Sequence, residues 1–430
     1  MPEEEKQPKI RIKPPEPDIC ESEPFSDKLD IFGFKDFAES MARLACGIAL
    51  PSTLVLDGPW GSGKTVFIKQ WRHLVEKEPH NARVIYFDAF AHDFRQDPFV
   101  ALTTEFAKKF GQSEELKKAA IQAGKSIVPT LAGAGANALT AGVLGKSVET
   151  FLKDQFDDVD EEEQRLQEFK KALESLAQPQ EGQGPFILII DELDRCRPDF
   201  ALASLELIKH VFSVPGICVV LVTNLEHMAS VVLGRYGADM DGATYLRKFY
   251  DITLTLPEHR SFRLGDRLQQ YAAWLWPKMG LNERLVQGAH NVDDDILRIA
   301  RLHECSLRDL ERIAAQYSVF LETIRTEKKL DNFALVAGLC LVRVIAPDLF
   351  RKAVDDRLSE ADVRSFFHFD DISWNDHEAE WFKDMWLYVT SEELSEEVLS
   401  GLNARNVSLR DRRHYLLSTA RRMANFRMPD

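Results

Sequence analysis

The six cysteines of this 430-residue sequence form no C-x-x-C pair, so their spacing predicts no zinc site. No signal peptide is visible, and we therefore expect reduced thiols in a cytoplasmic protein. Basic residues are outnumbered: 54 Lys and Arg against 69 Asp and Glu give a net charge of −15. An acidic chain argues against extended nucleic-acid binding, although a local basic patch is compatible with it.

Long hydrophobic runs are also scarce. Residues 126–145 carry no charge and have the length of a membrane span. Only six of them are large aliphatics, however, and a proline, an asparagine and four glycines oppose insertion. A membrane-associated hairpin and a flexible or helical excursion that closes onto a partner both remain open. Residues 1–24 are rich in Pro, Glu and Lys, which predicts a disordered tail.

A glycine-rich loop of the form G-x-x-x-x-G-K-T follows a short apolar run at 54–57 and precedes a predicted helix at 66–77. This is the Walker A pattern, in which glycines let backbone N–H groups point at phosphates and the helix N-terminus adds positive potential. Lys64 is expected to reach the β- and γ-phosphates, and the Thr65 hydroxyl to bind Mg²⁺. The tryptophan of the loop is not required by this chemistry. The predicted nucleotide-binding residues are Gly58, Pro59, Trp60, Gly61, Ser62, Gly63, Lys64 and Thr65.

A second informative stretch is Phe-Ile-Leu-Ile-Ile at 186–190, followed by Asp191 and Glu192. An aliphatic run that ends in two acids is typical of a buried parallel strand that delivers carboxylates to its C-terminal end, the Walker B pattern. We expect Asp191 to organise the Mg²⁺ ion. Glu192 is the predicted general base, because a carboxylate beside the metal can take a proton from the attacking water.

Polar residues follow two further strands. Asn224 comes directly after an apolar run at 216–223, and Asp88, His92 and Asp93 lie at the C-terminal end of a β-branched and aromatic run at 83–90, which predicts a second buried strand. At the C-terminal edge of a parallel sheet such groups can contact a ligand. Asn224 is a candidate γ-phosphate sensor, with a simple strand-end cap as the alternative. The other three can lie near the attacking water, but capping of a strand and a helix is the favoured interpretation for them.

The run Asp-Glu-Leu-Asp-Arg-Cys at 191–196, its wide separation from the Walker A loop, and the Ala/Gly-rich insertion between them resemble the KAP family of P-loop NTPases. The similarity extends over about residues 25–312. Members usually carry a second Asp where Glu192 stands, and their insertion is often membrane-spanning, whereas this one is short and weakly apolar. The resemblance implies a bacterial, membrane-linked or antiviral setting.

The same resemblance implies two basic groups that act on the nucleotide. Lys248, or its neighbour Arg247, is a candidate for neutralising charge in the transition state, and Arg308, with Arg312 as a weaker candidate, is a possible second sensor. A solvated turn before a strand and surface arginines in salt bridges are the alternatives.

We therefore predict an α/β P-loop NTPase core at about 25–260, with a mainly parallel sheet and an insertion at about 112–180, followed by an all-helical C-terminal domain at 261–430. The strands are expected near residues 54, 85, 188, 219 and 253. In the C-terminal part, an aromatic-rich segment at 370–384 can be an exposed patch for a partner, with core aromatics as the favoured alternative. An arginine-rich segment at 405–427 can contact nucleic acid or an acidic partner, with a solvated charged helix as the favoured alternative. The helical domain is expected to bind a protein partner or to self-associate.

The predicted function is Mg²⁺-dependent ATP hydrolysis used as a conformational switch. Adenine is favoured because no guanine-reading Asn-Lys-x-Asp motif is present. The alternative is a nucleotide-gated scaffold that binds ATP, hydrolyses it negligibly and recruits a partner through the C-terminal helices.

Overall fold

The computed structural model describes residues 11–14, 23–48, 51–95, 97–109, 164, 166–178, 181–257, 264–281, 286–287, 290–323, 333–370, 374, 377–394, 398 and 412–426. Most of the predicted tail and the whole uncharged stretch at 126–145 lie outside these residues. By its internal contacts the chain divides into two compact units, Asp18–Pro257 and a unit that combines Met1–Pro17 with Glu258–Asp430.

The first unit is built on a five-stranded sheet in the order β2-β3-β4-β1-β5, and every neighbouring pair of strands is parallel. This confirms the predicted α/β core with a parallel sheet. Every residue of β3 and β4 is buried, as expected for aliphatic strands covered on both faces. The strands are β1 (Ser52–Asp57), β2 (Arg83–Asp88), β3 (Phe186–Asp191), β4 (Ile217–Thr223) and β5 (Ile252–Thr255).

Helices cover both faces of this sheet. Along β1, Leu54 and Leu56 join one hydrophobic cluster and Val55 joins the other, because successive side chains of a strand point to opposite faces. The helices of this unit are α1 (Lys35–Gly47), α2 (Lys64–Glu76), α3 (Ala89–His92), α4 (Pro98–Lys109), α5 (166–177), α6 (Pro198–Leu207), α7 (Leu225–Tyr236) and α8 (Gly242–Leu246).

The helix α5 is fixed against the sheet at its C-terminal end. The Arg83 guanidinium, at the start of β2, donates to the carbonyls of Leu176 and Ala177 at 2.6 and 2.7 Å. Cations stabilise the last carbonyls of a helix, which carry its negative dipole end. Phe169 of α5 packs on Phe99 of α4 with ring centroids 5.2 Å apart, so α4, which precedes the predicted insertion, and α5, which lies in its last part, are both anchored to the same core.

The register brings the C-terminal ends of four strands to one edge. Asp88 pairs with Asp191 across β2 and β3, and Asp57 pairs with Thr223 across β1 and β4. Chain segments that leave β1, β2, β3 and β4 therefore meet at this edge, where open parallel sheets bind their ligands.

The second unit is helical, as predicted. One short element departs from an all-helical reading: Val286–Gln287 and His290–Asn291 pair as antiparallel strands. Two residues each are too few to leave a periodic pattern in the sequence. The helices are α9 (Leu264–Met279), α10 (Val292–Leu302), α11 (Leu307–Thr323), α12 (Phe333–Ile345), α13 (Pro347–Val354), α14 (Glu360–Phe367), α15 (His377–Thr390) and α16 (Arg412–Ala424).

Helix α12 is the centre of this unit: its residues Ala334 to Val342 are all buried, which requires apolar side chains around its whole circumference. Trp374 and Phe382 are also fully buried, so for these two aromatics the alternative of an exposed partner patch is wrong. Helix α16 buries Leu416 on one side, whereas its residues Arg413 and Arg421 are exposed. Among the described residues, no helix is long and apolar enough to cross a membrane.

Two glycines test the packing of α8 against α7 in the first unit. A Cβ added to Gly242 of α8 would lie 2.4 Å from the Ala229 carbonyl oxygen of α7, whereas one added to Gly234 of α7 would meet nothing within 4 Å. We expect Gly242→Ala to destabilise the protein by about 1–3 kcal/mol through overpacking. Gly234→Ala should stabilise it by up to about 1 kcal/mol, because alanine favours the helix. Urea unfolding midpoints measure both effects, and equal midpoints for the two variants would contradict the packing.

Candidate functional site

The phosphate loop connects β1 to α2. Gly61 and Gly63 have φ angles of 77° and 90°, in the left-handed region that glycine enters without a steric cost. Gly63 is also the residue that precedes α2, and no side chain caps the first N–H groups of that helix. These N–H groups are donors that an anion can satisfy. The predicted loop residues thus have the backbone conformation that phosphate binding needs.

Lys64 lies inside the loop. Its side chain is buried, and Nζ donates to the carbonyls of Gly58 at 2.5 Å and Pro59 at 3.0 Å. Burial lowers the pKa of Lys64, and the negative charges of Asp194, Asp191 and Asp57 oppose this shift. The Lys64 ammonium group is therefore held at the centre of the loop by backbone oxygens, with three carboxylates nearby.

Asp191 and Thr65, the two predicted metal ligands, lie near each other, and the Thr65 hydroxyl acts to lower the pKa of the Asp191 carboxyl. Asp191 is 2% exposed and accepts from the Tyr86 hydroxyl and from the Glu192 N–H, each at 2.8 Å. Burial raises the pKa of Asp191, and the Tyr86 hydroxyl, the Thr65 hydroxyl and the Glu192 N–H act in the opposite direction. No sequence pattern indicated that Tyr86 would contact Asp191, because a tyrosine at an inner strand position is typical of core.

The chemistry of this pair fits Mg²⁺. A hydroxyl and a buried carboxylate are hard oxygen ligands, and Mg²⁺ typically takes only one or two protein ligands beside water and phosphate oxygens. Within the described part of the chain, no group of three or more His, Cys, Asp or Glu side chains could form an all-protein metal cage. The desolvated carboxylate of Asp191 is stabilised by any cation that binds next to it.

Glu192 has an unusual backbone. Its φ and ψ angles of 60° and 29° are left-handed, which costs a residue with a side chain about 1–2 kcal/mol. Its carboxylate forms an ion pair with Arg195 at 3.1 Å. Burial raises the pKa of Glu192, and the charge of Arg195 lowers it. Strained residues of this kind concentrate at functional sites.

Asn224 caps α7: its Oδ1 accepts from the His227 N–H at 3.1 Å. Asp57, the last residue of β1, accepts from the Leu225 N–H at 2.9 Å and so attaches the same helix end to the phosphate-loop strand. The cap uses the amide oxygen of Asn224, and the amide N–H₂ group is a separate donor. Capping and sensing are therefore compatible roles for this residue.

The polar residues after β2 are engaged in local contacts. Asp88 accepts from the Ala91 N–H and caps α3. The His92 ring stacks on Phe87 with centroids 4.9 Å apart, and Asp93 forms an ion pair with Arg197 at 3.1 Å. These contacts correspond to the capping interpretation rather than to a role beside water.

Trp60 projects from the phosphate loop and reaches two other segments. Its Nε1 donates to Asp194 Oδ2 at 2.5 Å, and its ring lies 4.6 Å from the His227 ring. Asp194 is 4% exposed. Trp60 belongs to the predicted loop residues and Asp194 to the motif at 191–196, but no sequence pattern indicates their contact, because 134 positions separate them.

Lys248, the first basic candidate, does not lie at the phosphate loop. Lys248 precedes β5, whereas the phosphate loop follows the parallel strand β1, so the two segments leave opposite ends of this strand pair. Lys248 Nζ lies 3.7 Å from the centre of the Tyr245 ring, a contact within its own segment, and this favours the interpretation as a turn residue. Arg308 lies in α11 of the second unit, near Glu311; burial raises the pKa of Glu311, and the Tyr271 hydroxyl and the Arg308 charge oppose this shift.

A family model for the KAP family P-loop domain matches residues 34–324, more than half of the chain. The chain belongs to the KAP family. The resemblance read from the run at 191–196 is thereby confirmed, and nucleotide binding by a P-loop NTPase domain is the family-level function. A comparison with curated proteins finds no significant match.

Solved structures of low similarity also align with this KAP domain chain. The Aeropyrum pernix ORC2 protein in its ADPNP–ADP complexes is 13% identical with a TM-score of 0.36, and covers 91% of this chain and 95% of its own. A structure of Drosophila ORC bound to DNA is 13% identical with a TM-score of 0.39, covering 94% and 98%. Neither similarity carries information on the ligands of this chain.

The left-handed backbone of Glu192 gives a stability prediction. Glu192→Gly and Glu192→Ala both remove the carboxylate and its ion pair with Arg195, but only glycine relieves the strain at φ 60°. We expect the glycine variant to be more stable than the alanine variant by about 1 kcal/mol. The two urea unfolding curves provide the measurement. A less stable glycine variant would mean that this turn is not strained.

Proposed function

We propose that this protein binds ATP with Mg²⁺ and hydrolyses it as a conformational switch. The observation that carries the proposal is the placement of Lys64 and Thr65 of the phosphate loop beside Asp191, which ends β3, two strands away from β1: the Asp191 charge raises the pKa of Lys64, and the Thr65 hydroxyl lowers the pKa of Asp191. It joins the two motifs, more than a hundred residues apart, at one point where a hydroxyl, a carboxylate and the Lys64 ammonium converge. This is the minimum set for holding a magnesium nucleotide.

Each residue has a defined task in this proposal. Lys64 exchanges its backbone carbonyl partners for phosphate oxygens, and the N–H groups at the start of α2 bind the same phosphates. Thr65 and Asp191 would hold Mg²⁺, which supplies charge neutralisation for the phosphates. Glu192 accepts the proton of the attacking water once its carboxylate is released from Arg195. Asn224 orients that water through its amide N–H₂ group.

The alternative is a scaffold that binds ATP and hydrolyses it negligibly. One observation favours it: the carboxylate of Glu192 is engaged by Arg195 and is not free to act as a base. In that case nucleotide binding alone would control whether the C-terminal helices recruit a partner. The antiviral or membrane-linked setting belongs to the proposal as well, and its support is the family resemblance.

Phosphate release from ATP and Mg²⁺ tests the central claim. We expect Lys64→Ala to abolish nucleotide binding, because the phosphates lose their buried cation. Glu192→Gln should bind ATP normally and lose about 10²–10⁴-fold in turnover, the usual contribution of a general base. Lys77→Ala, at the exposed far end of α2, is the matched control and should behave as wild type. A wild-type rate equal to that of Glu192→Gln would support the scaffold instead.

Two variants of Asn224 separate sensing from capping. Asn224→Asp keeps an oxygen that accepts from the His227 N–H but loses the amide donor, whereas Asn224→Ala loses both. If the amide orients water, the aspartate variant retains wild-type stability and loses at least about tenfold in turnover. The alanine variant should also be destabilised by about 1 kcal/mol. Wild-type turnover in Asn224→Asp would leave only the capping role.

A further inference from the structure

The phosphate loop is joined to the turn after β3 by a side chain that phosphate binding does not require. Trp60 Nε1 donates to Asp194 Oδ2 at 2.5 Å, a short and charge-assisted hydrogen bond. The indole is 44% exposed, so burial of the ring does not account for its position. The contact therefore needs an explanation other than core packing.

The strand order shows what this contact spans. The loop leaves β1 and the turn leaves β3, and β4 lies between these strands. Adjacent strands are about 4.8 Å apart, so the bond crosses a gap of roughly 10 Å. A tryptophan has the reach for this distance and carries a donor at its far end.

Asp194 belongs to the turn that carries the proposed base. It lies in the 3₁₀ helix Leu193–Arg195, which begins directly after Glu192 and contains the ion-pair partner Arg195. The backbone N–H of Arg195 donates to the Glu192 carbonyl at 3.2 Å, so this hydrogen bond connects the turn directly to Glu192. A displacement of Asp194 changes the position of Arg195 relative to the Glu192 carboxylate.

The indole also contacts helix α7. Its ring lies 4.6 Å from the ring of His227, and the His227 N–H is the donor that Asn224 caps. Trp60 thus contacts, from within the phosphate loop, both the turn of Glu192 and the helix end of Asn224.

We propose that Trp60 is a positioning residue that couples the phosphate loop to the Glu192 turn. Phosphates that bind the loop draw its N–H groups inward and displace the indole. The bond to Asp194 passes this movement to the 3₁₀ turn and changes the pairing of Glu192 with Arg195. This inference rests on the proposed function for its consequence in turnover, whereas the mechanical link itself exists without nucleotide.

Hydrogen exchange in the nucleotide-free protein tests the link. Trp60→Phe keeps a ring beside His227 and removes the N–H donor. We expect the amides of Arg195 and Cys196, which close the turn, to exchange about tenfold faster, as expected from the loss of a hydrogen bond to a charged acceptor. Trp274→Phe, a partly buried tryptophan of the second unit, is the matched control and leaves these amides unchanged. Unchanged exchange in Trp60→Phe would overturn the proposal.

Variants of Asp194 show whether the effect passes through this carboxylate. In an Asp194→Ala background, Trp60→Phe should cause no further acceleration of exchange, because the acceptor is already absent. Asp194→Asn keeps an oxygen acceptor, and we expect it to retain most of the protection of the turn. Fully additive effects of Trp60→Phe and Asp194→Ala would show that the two side chains act independently and would overturn the coupling.

Kinetics separate positioning from direct nucleotide contact. We expect Trp60→Phe to lower kcat about tenfold and to change the Kd of ATP by less than about threefold, because the loop and Lys64 are intact. A loss of ATP binding as large as that of Lys64→Ala would overturn the positioning role. If wild type binds ATP without turnover, the proposed hydrolysis fails, while the exchange experiment still decides on the link.

Discussion

The site depends on one constraint, the parallel register that ends β1, β2, β3 and β4 at the same level. Asp57, Asp88 and Asp191 each close a strand, and the register places them along a single edge of the sheet. With β4 between β1 and β3, the two nucleotide-binding motifs are neighbours but do not pair directly. The side chains that cross this interval, from Thr65, Lys64 and Trp60, then determine the geometry of the site.

Charge is concentrated at this edge to a degree that would be unfavourable without compensation. Asp191 and Asp194 are nearly fully buried, and Glu192 is partly so. Lys64, Arg195, the Tyr86 hydroxyl and the Trp60 N–H each offset part of the desolvation. These buried carboxylates are tolerated because each has at least one hydrogen-bond donor or cation beside it. A magnesium nucleotide that binds here would change the charge around all of them.

Much of the fold follows from local patterns in the sequence. The apolar runs before Gly58 and Asp191 predict β1 and β3, and the Walker loop defines α2, because strand propensity and glycine conformation are properties of short segments. The contacts of Tyr86 with Asp191 and of Trp60 with Asp194 join residues 105 and 134 positions apart, so no spacing rule could indicate them. Arg195 differs from both the local patterns and the long-range contacts. Its place in the family motif is visible in the sequence, but its ion pair with Glu192 depends on the left-handed backbone of Glu192, which only the folded chain shows.

The anchoring of α4 and α5 has a consequence for how this domain can vary. The Phe99–Phe169 contact and the Arg83 bonds to the end of α5 fix where the chain departs from the core and where it returns. The sheet therefore constrains the two attachment points of the insertion and sets no length for what lies between them. Since the entropy of closing a loop grows only with the logarithm of its length, this place in the domain can accept segments of very different size and composition without loss of the nucleotide site.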